Sequence, residues 1–197
     1  MKKAKIYYGL MGVLKGTTIS HEESKNKVDV LRTANKLWKK YEQSIYSGLI
    51  QYNDLNLAIL HLVRLEEFIK RTNPDQDKII ERGITDYLYY YWNEPRSAWC
   101  GMPEDKTVIE NSIETENKLL ENFQVERVLL VMNDREFIRT KVLGSKFRNN
   151  FMSLDQYLDQ QNKYVNFTKT YNKIDQTIEI GSAKSYIELI LKDKYID

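Results

Sequence analysis

Gly9 stands six residues before Lys15 in the stretch "GLMGVLKGTT", the spacing found in loops that grip phosphate. The full pattern is G-x-x-x-x-G-K-[ST]. Its glycines let backbone N–H groups converge on an anion, its lysine reaches the outer phosphates, and its hydroxyl ligates magnesium. Here Gly9 and Lys15 are in place, with Gly12 at one of the unspecified positions between them. Leu14 occupies the position of the glycine before the lysine, Gly16 that of the hydroxyl after it, and Thr17 and Thr18 follow. By spacing alone, a plain glycine turn explains the stretch as well as a phosphate loop does.

Four further groupings have the right chemistry. "IIERGITDYLYYYW" sets Glu81 and Arg82 at the end of an apolar run. A carboxylate at a strand's carboxyl end can hold magnesium or take a proton, and an arginine there can neutralise a transferring phosphate; a surface ion pair is the alternative. "NDREFIRTKVLGSKFRNNF" brings Arg135, Arg139, Lys141, Lys146 and Arg148 around a Gly144-Ser145 turn. Such a run can fold over phosphates as a lid, over about 134–152, or lie in solvent as an ordinary charged helix and loop. His61 and Arg64 share one face of an otherwise apolar helix, where they could read a base or a phosphate, the alternative being a satisfied core histidine and an interdomain ion pair. The aromatic cluster Tyr87, Tyr89, Tyr90, Tyr91 and Trp92, with Trp99 nearby, suits base stacking or core packing.

The elements that must position these groups alternate. Strands are expected at Ala4–Leu10, Lys27–Leu31, Asp77–Glu81, Glu126–Met132 and Gln176–Ile180. Their near-continuous apolar character predicts a buried parallel sheet. A helix over Leu55–Ile69 is apolar almost all round and reads as buried. Capping-box signatures at Thr107/Glu110 and Ser153/Gln156 announce two more helices, and Ser182 can cap a last one. Ser20/Glu23 is a competing box that would start the first helix late. The alternation predicts a three-layer α/β fold.

At 197 residues one compact domain, 1–197, is expected. Net charge is +2, which by itself points neither toward nor away from nucleic acid. Cys100 is the single cysteine, so no internal disulfide forms and a cytoplasmic location fits. The apolar run near the start is bracketed by Lys5 and Lys15 and lacks a cleavage site, which argues against a signal peptide, and no segment reaches membrane-spanning length.

Taken in order, these parts resemble the deoxynucleoside kinase and thymidylate kinase group of P-loop kinases, with a degenerate Walker A loop. The loop, the Glu-Arg strand end, "VLLVMNDREFIRTKVLGSKFR" and "SLDQYLDQQNKY" follow in the family's sequence from about Lys5 to Ile190. The resemblance implies a five-stranded parallel sheet with helices on both faces and a basic lid. It implies ATP and Mg2+, with phosphoryl transfer to a (deoxy)nucleoside or its monophosphate. Lys15 would then hold the β/γ-phosphates, within a loop of Gly9, Gly12, Gly16, Thr17 and Thr18. Thr17, with Glu81, would serve the metal. Glu81 and Arg82 would flank the reacting phosphate, with Arg139, Lys146 and Arg148 as lid cations. His61 and Arg64 would touch the acceptor, and Asp29 is the candidate for the family's acidic base after the second strand. No membrane or polymeric nucleic acid is expected as partner, and a homodimer is compatible. Leu14, Gly16 and Gly83 (in place of a serine) depart from the family pattern. They motivate an alternative: a catalytically impaired kinase-fold protein that binds nucleotide or a protein partner.

Overall fold

The computed structural model describes residues 2–10, 12–33, 54–93, 106–144 and 153–192, with side chains at 58–89 in the third of these segments. Its elements are β1 (Lys2–Tyr8), α1 (Lys15–Lys25), β2 (Val28–Leu31), α2 (Asp54–Arg71), β3 (Asp77–Glu81), α3 (Ile84–Asn93) and α4 (Lys106–Leu119). Then follow β4 (Phe123–Met132), a short α5 (Arg135–Phe137) continued by π-helix over Ile138–Leu143, α6 (Leu154–Tyr171), β5 (Gln176–Ile180) and α7 (Ala183–Lys192).

All five expected strands form, and they make one sheet in the order β2-β3-β1-β4-β5 with every pairing parallel. Helices cover both faces, as the apolar strands require. Successive residues of β1 point to opposite faces. Tyr7 meets Glu22 of α1, in the layer that also holds α7, while Tyr8 lies against Gly83 at the start of α3, in the layer of α2, α3, α4 and α6. The core centres on Ile6, Tyr8, Ile80, Leu129 and Leu130, all at most 1% exposed.

Register fixes which residues emerge at one edge. Tyr7 pairs with Glu81, and Leu31 with Ile80, so Gly9, Arg32 and Arg82, the first residues after β1, β2 and β3, leave the sheet at the same edge within a residue or two of one another. Loops at the carboxyl ends of a parallel sheet form its ligand crevice.

Some local expectations are corrected. The first helix starts at Lys15, so Ser20 and Glu23 are inside it; both engage Arg32, at 3.1 and 2.6 Å, instead of capping. Thr107 is likewise helical, one residue past the first described position of α4. Helix α2 is not buried all round, because Ile59 and Val63 are 47% and 45% exposed. The boxes at Ser153/Gln156 and the Ser182 cap form as read.

Candidate active site

The phosphate-loop stretch runs from the end of β1 into the first turn of α1. Its turning points are Gly9 (φ 148°), Gly12 (φ 89°) and Leu14 (φ 60°, ψ 21°). Leu14 therefore holds the left-handed conformation that a glycine adopts without strain. The loop then enters α1 at Lys15, and the helix's own bonding pattern leaves its first-turn N–H groups, those of Lys15, Gly16 and Thr17, to face the loop side.

A cleft of about 340 Å³ lies over this turn. It is lined by Gly12–Thr17 from the loop, Glu81 and Arg82 from the end of β3, and Phe137, Lys141 and Val142 from the segment after β4. Three sequence-distant stretches thus converge, and two of the expected cations, Lys15 and Arg82, face one cleft. Lys15 is buried, and its ammonium donates to the carbonyls of Gly9 and Leu10, the latter at 2.9 Å. Arg82 carries φ 78°; with Leu14 it makes the two non-glycine residues of positive φ among the described residues, and both line the cleft. Its N–H donates to Tyr7 O at 3.0 Å, which anchors the strained peptide to β1.

Glu81 accepts from Thr33 N–H at 3.0 Å through Oε2, and its carbonyl takes the Thr33 hydroxyl at 3.2 Å. Thr17 is exposed at the mouth of the cleft. Thr18 is turned away: its hydroxyl donates to Leu14 O at 3.0 Å and meets the Tyr186 hydroxyl at 2.9 Å.

Several expected residues lie elsewhere. Arg139 is 67% exposed, pairs with Glu136 and is not part of the cleft wall; the cation of that segment that does line it is Lys141. A helical run of charges has two faces, and spacing alone does not say which one turns inward. Lys146 and Arg148 lie outside the described residues, as do Cys100, Trp99 and the side chains of Tyr90, Tyr91 and Trp92. Asp29 sits three register steps before Glu81, about 10 Å back along the sheet. There it pairs with the buried Lys78 at 2.6 Å.

His61 and Arg64 are both buried, at 1% and 3% exposure. His61 stacks on Tyr87 with ring centroids 4.5 Å apart, and its Nε2 lies 2.9 Å from Glu116 Oε1. Arg64 donates to Arg32 O at 2.6 Å, bringing α2 against the end of β2. Tyr89 packs in the core, edge-on to Tyr164, and its hydroxyl donates to Gln160 O at 3.0 Å.

Two buried carboxylates at the start of α3, just after Arg82, were not singled out from the sequence. Glu116 accepts from Ile84 N–H at 2.8 Å as well as meeting His61, so it occupies the start of α3. Asp86, fully buried in the first turn of α3, accepts from the Tyr164 hydroxyl. Burial pushes its carboxyl above the usual range, and the nearby charges of Lys15 and Arg82 oppose that push. Asp86 lies in the first turn of α3, just after the strained peptide at Arg82, and no local pattern in the sequence marks it as buried.

No family model matches the chain, and no curated protein matches it by sequence. Solved structures do match in shape. The thymidylate kinase of Candida albicans superposes with a TM-score of 0.58 at 13% identity, covering 98% of this chain and 92% of that one. The deoxyadenosine kinase of M. mycoides, solved with dCMP as product, gives 0.57 at 16% identity, covering 98% of each chain. The thymidylate kinase of Ehrlichia chaffeensis gives 0.55 at 10% identity, covering 99% of each. The chain has the three-layer fold of P-loop kinases. Within that class its shape is similar to the thymidylate and deoxyadenosine kinases, and at these identities the likeness is one of fold. Among the described residues no helix is long and apolar enough to cross a membrane.

Proposed function

We propose that the protein is a cytoplasmic kinase that moves the terminal phosphoryl group of ATP to a (deoxy)nucleoside or (deoxy)nucleoside monophosphate. The observation that carries this reading is the pairing of Leu14 and Arg82, two strained backbone positions on opposite walls of one cleft. Strain of that kind persists where the surroundings fix a geometry that function uses. Leu14 keeps the loop turning into α1, so the first-turn N–H groups can meet an anion. The shared fold with nucleoside and nucleotide kinases supports the choice of substrate class.

In this reading Lys15 leaves the carbonyls of Gly9 and Leu10 for the β/γ-phosphates. Arg82 neutralises the transferring group from the other wall, and Lys141 closes on it from the lid side. Phosphoryl transfer depends mostly on such positioning and charge neutralisation. Glu81 and Thr17 fit a magnesium ion. They are hard oxygen donors on one cleft, and Glu81 Oε1 accepts no hydrogen bond among the described residues. The ion, when bound, would spread the negative charge of the phosphates. His61 and Arg64 would then shape the acceptor side beneath Arg82.

A second reading, a nucleotide-binding protein without turnover, draws on Gly16 and Thr18. The position after Lys15 has no hydroxyl, and Thr18 spends its own on Leu14 and Tyr186. A thermal-shift screen with ATP, GTP, nucleosides and monophosphates, followed by a coupled product assay, separates the two. A ligand that binds only the native state raises apparent stability. We expect a shift with ATP and product with at least one acceptor. Lys15→Ala should cut turnover by about 10²-fold or more with the fold retained. Full activity in that variant would remove Lys15 from the site. A shift without product would favour the second reading.

A further inference from the structure

Helix α6 reaches the phosphate loop through one hydroxyl. Tyr164 is fully buried, accepts from Gly9 N–H at 2.8 Å and donates its only proton to Asp86 Oδ1. Accepting on one side and donating on the other fixes the hydroxyl's orientation. Three residues earlier on the same helix face, Gln161 holds the end of β4, donating to Met132 O at 2.9 Å and accepting from Met132 N–H at 3.0 Å. Tyr164 is therefore carried on a helix already bolted to the sheet.

Gly9 is gripped through both of the peptide groups that flank its Cα. Its N–H goes to Tyr164, and its carbonyl takes the Lys15 ammonium. A Cβ at Gly9 would stand 2.6 Å from Val13 Cγ2 and 2.8 Å from Leu130 O, so the peptide is closely enclosed. When Lys15 transfers to phosphate, the carbonyl side of this grip is released and the N–H side remains. The same hydroxyl reaches Asp86 in the first turn of α3, the helix that follows Arg82, so it ties the loop wall of the cleft to the arginine wall.

We propose that Tyr164 is a positioning residue for the phosphate loop, holding the Gly9 peptide in place while Lys15 exchanges its loop carbonyls for nucleotide phosphates. This rests on the kinase reading above. The test compares Tyr164→Phe with Tyr89→Phe, which removes a hydrogen bond between α3 and the same helix α6 without touching the loop. Tyr164→Phe should speed amide exchange at Gly9 and Leu10 in the free protein by about tenfold. It should weaken MgATP binding by a similar factor and leave the acceptor KM unchanged; Tyr89→Phe should move none of these.

Asp86→Leu removes the acceptor that orients the hydroxyl and should also speed Gly9 exchange. Asp86→Asn keeps an acceptor and should leave it within about twofold of wild type. Wild-type exchange at Gly9 in both Tyr164→Phe and Asp86→Leu would overturn the proposal, as would equal loosening in Tyr89→Phe. If the unaltered protein binds no nucleotide, the kinase reading fails, and the Gly9 exchange rates still decide whether Tyr164 holds the loop.

Discussion

Leu14 and Arg82 carry a cost that their neighbours do not. A side chain in the left-handed region costs roughly 1–2 kcal/mol relative to glycine. Arg82→Gly should therefore leave stability within about 1 kcal/mol of the parent, because relief of backbone strain offsets the packing that the arginine side chain supplies. Activity in the same variant should fall by about 10²-fold or more. Chemical denaturation and a product assay on one sample check the split; parallel losses would make Arg82 merely structural. Gly83 shows the opposite constraint. A Cβ there would lie 2.5 Å from the Tyr8 ring, so the tyrosine fills the space that a serine side chain would need. Gly83→Ser should destabilise by about 1–3 kcal/mol through overpacking, read from the urea midpoint.

At the level of elements, Asp134 governs the turn after β4. Its carboxylate accepts from Phe137 N–H and from Ala183 N–H, both at 2.9 Å, so it caps α5 and the first turn of α7 together. These bonds hold its carboxyl below the ordinary value of 3.8. A folded-state value below the unfolded one gives stability that is fully present above about pH 4 and lost as pH falls through the lower, folded value. Asp134→Asn should remove this part of the acid sensitivity, as a shallower drop in melting temperature between about pH 5 and pH 2.5. An unchanged slope would show that other carboxylates dominate. Ser153 and Gln156 close a reciprocal capping box on α6. Ser153→Ala should cost about 1 kcal/mol, measurable as a fall in melting temperature.

Across the molecule, Glu116 joins three helices. It stands on α4, accepts from the first N–H of α3 and meets His61 of α2, with no exposure to solvent. Truncating one member of such a buried group leaves the others unsatisfied. Glu116→Ala should lose about 3 kcal/mol of stability, and Glu116→Gln less, because the amide still accepts from Ile84. Equal losses would show that the charge, not the acceptor, matters.

The contrast between α2 and the strands marks what the residues alone conveyed. Strand positions, the parallel sheet and the order of the parts were legible, because apolar runs and caps act over a few neighbours. The pairing of Glu81-Arg82 with the loop was legible too, since both follow strands and strand ends meet at one edge. Lys15 six residues after Gly9, the Ser153 box and the strand-ending Glu81 are thus written in the sequence. Tertiary structure decided which face of a charged helix turns inward, placing Lys141 on the cleft and Arg139 in solvent. It sent Asp29 to Lys78, because one register step moves a side chain by a strand's rise and no local pattern encodes that distance. It also let Leu14 adopt a glycine's conformation, since its cost of roughly 1–2 kcal/mol is a backbone preference that packing can override.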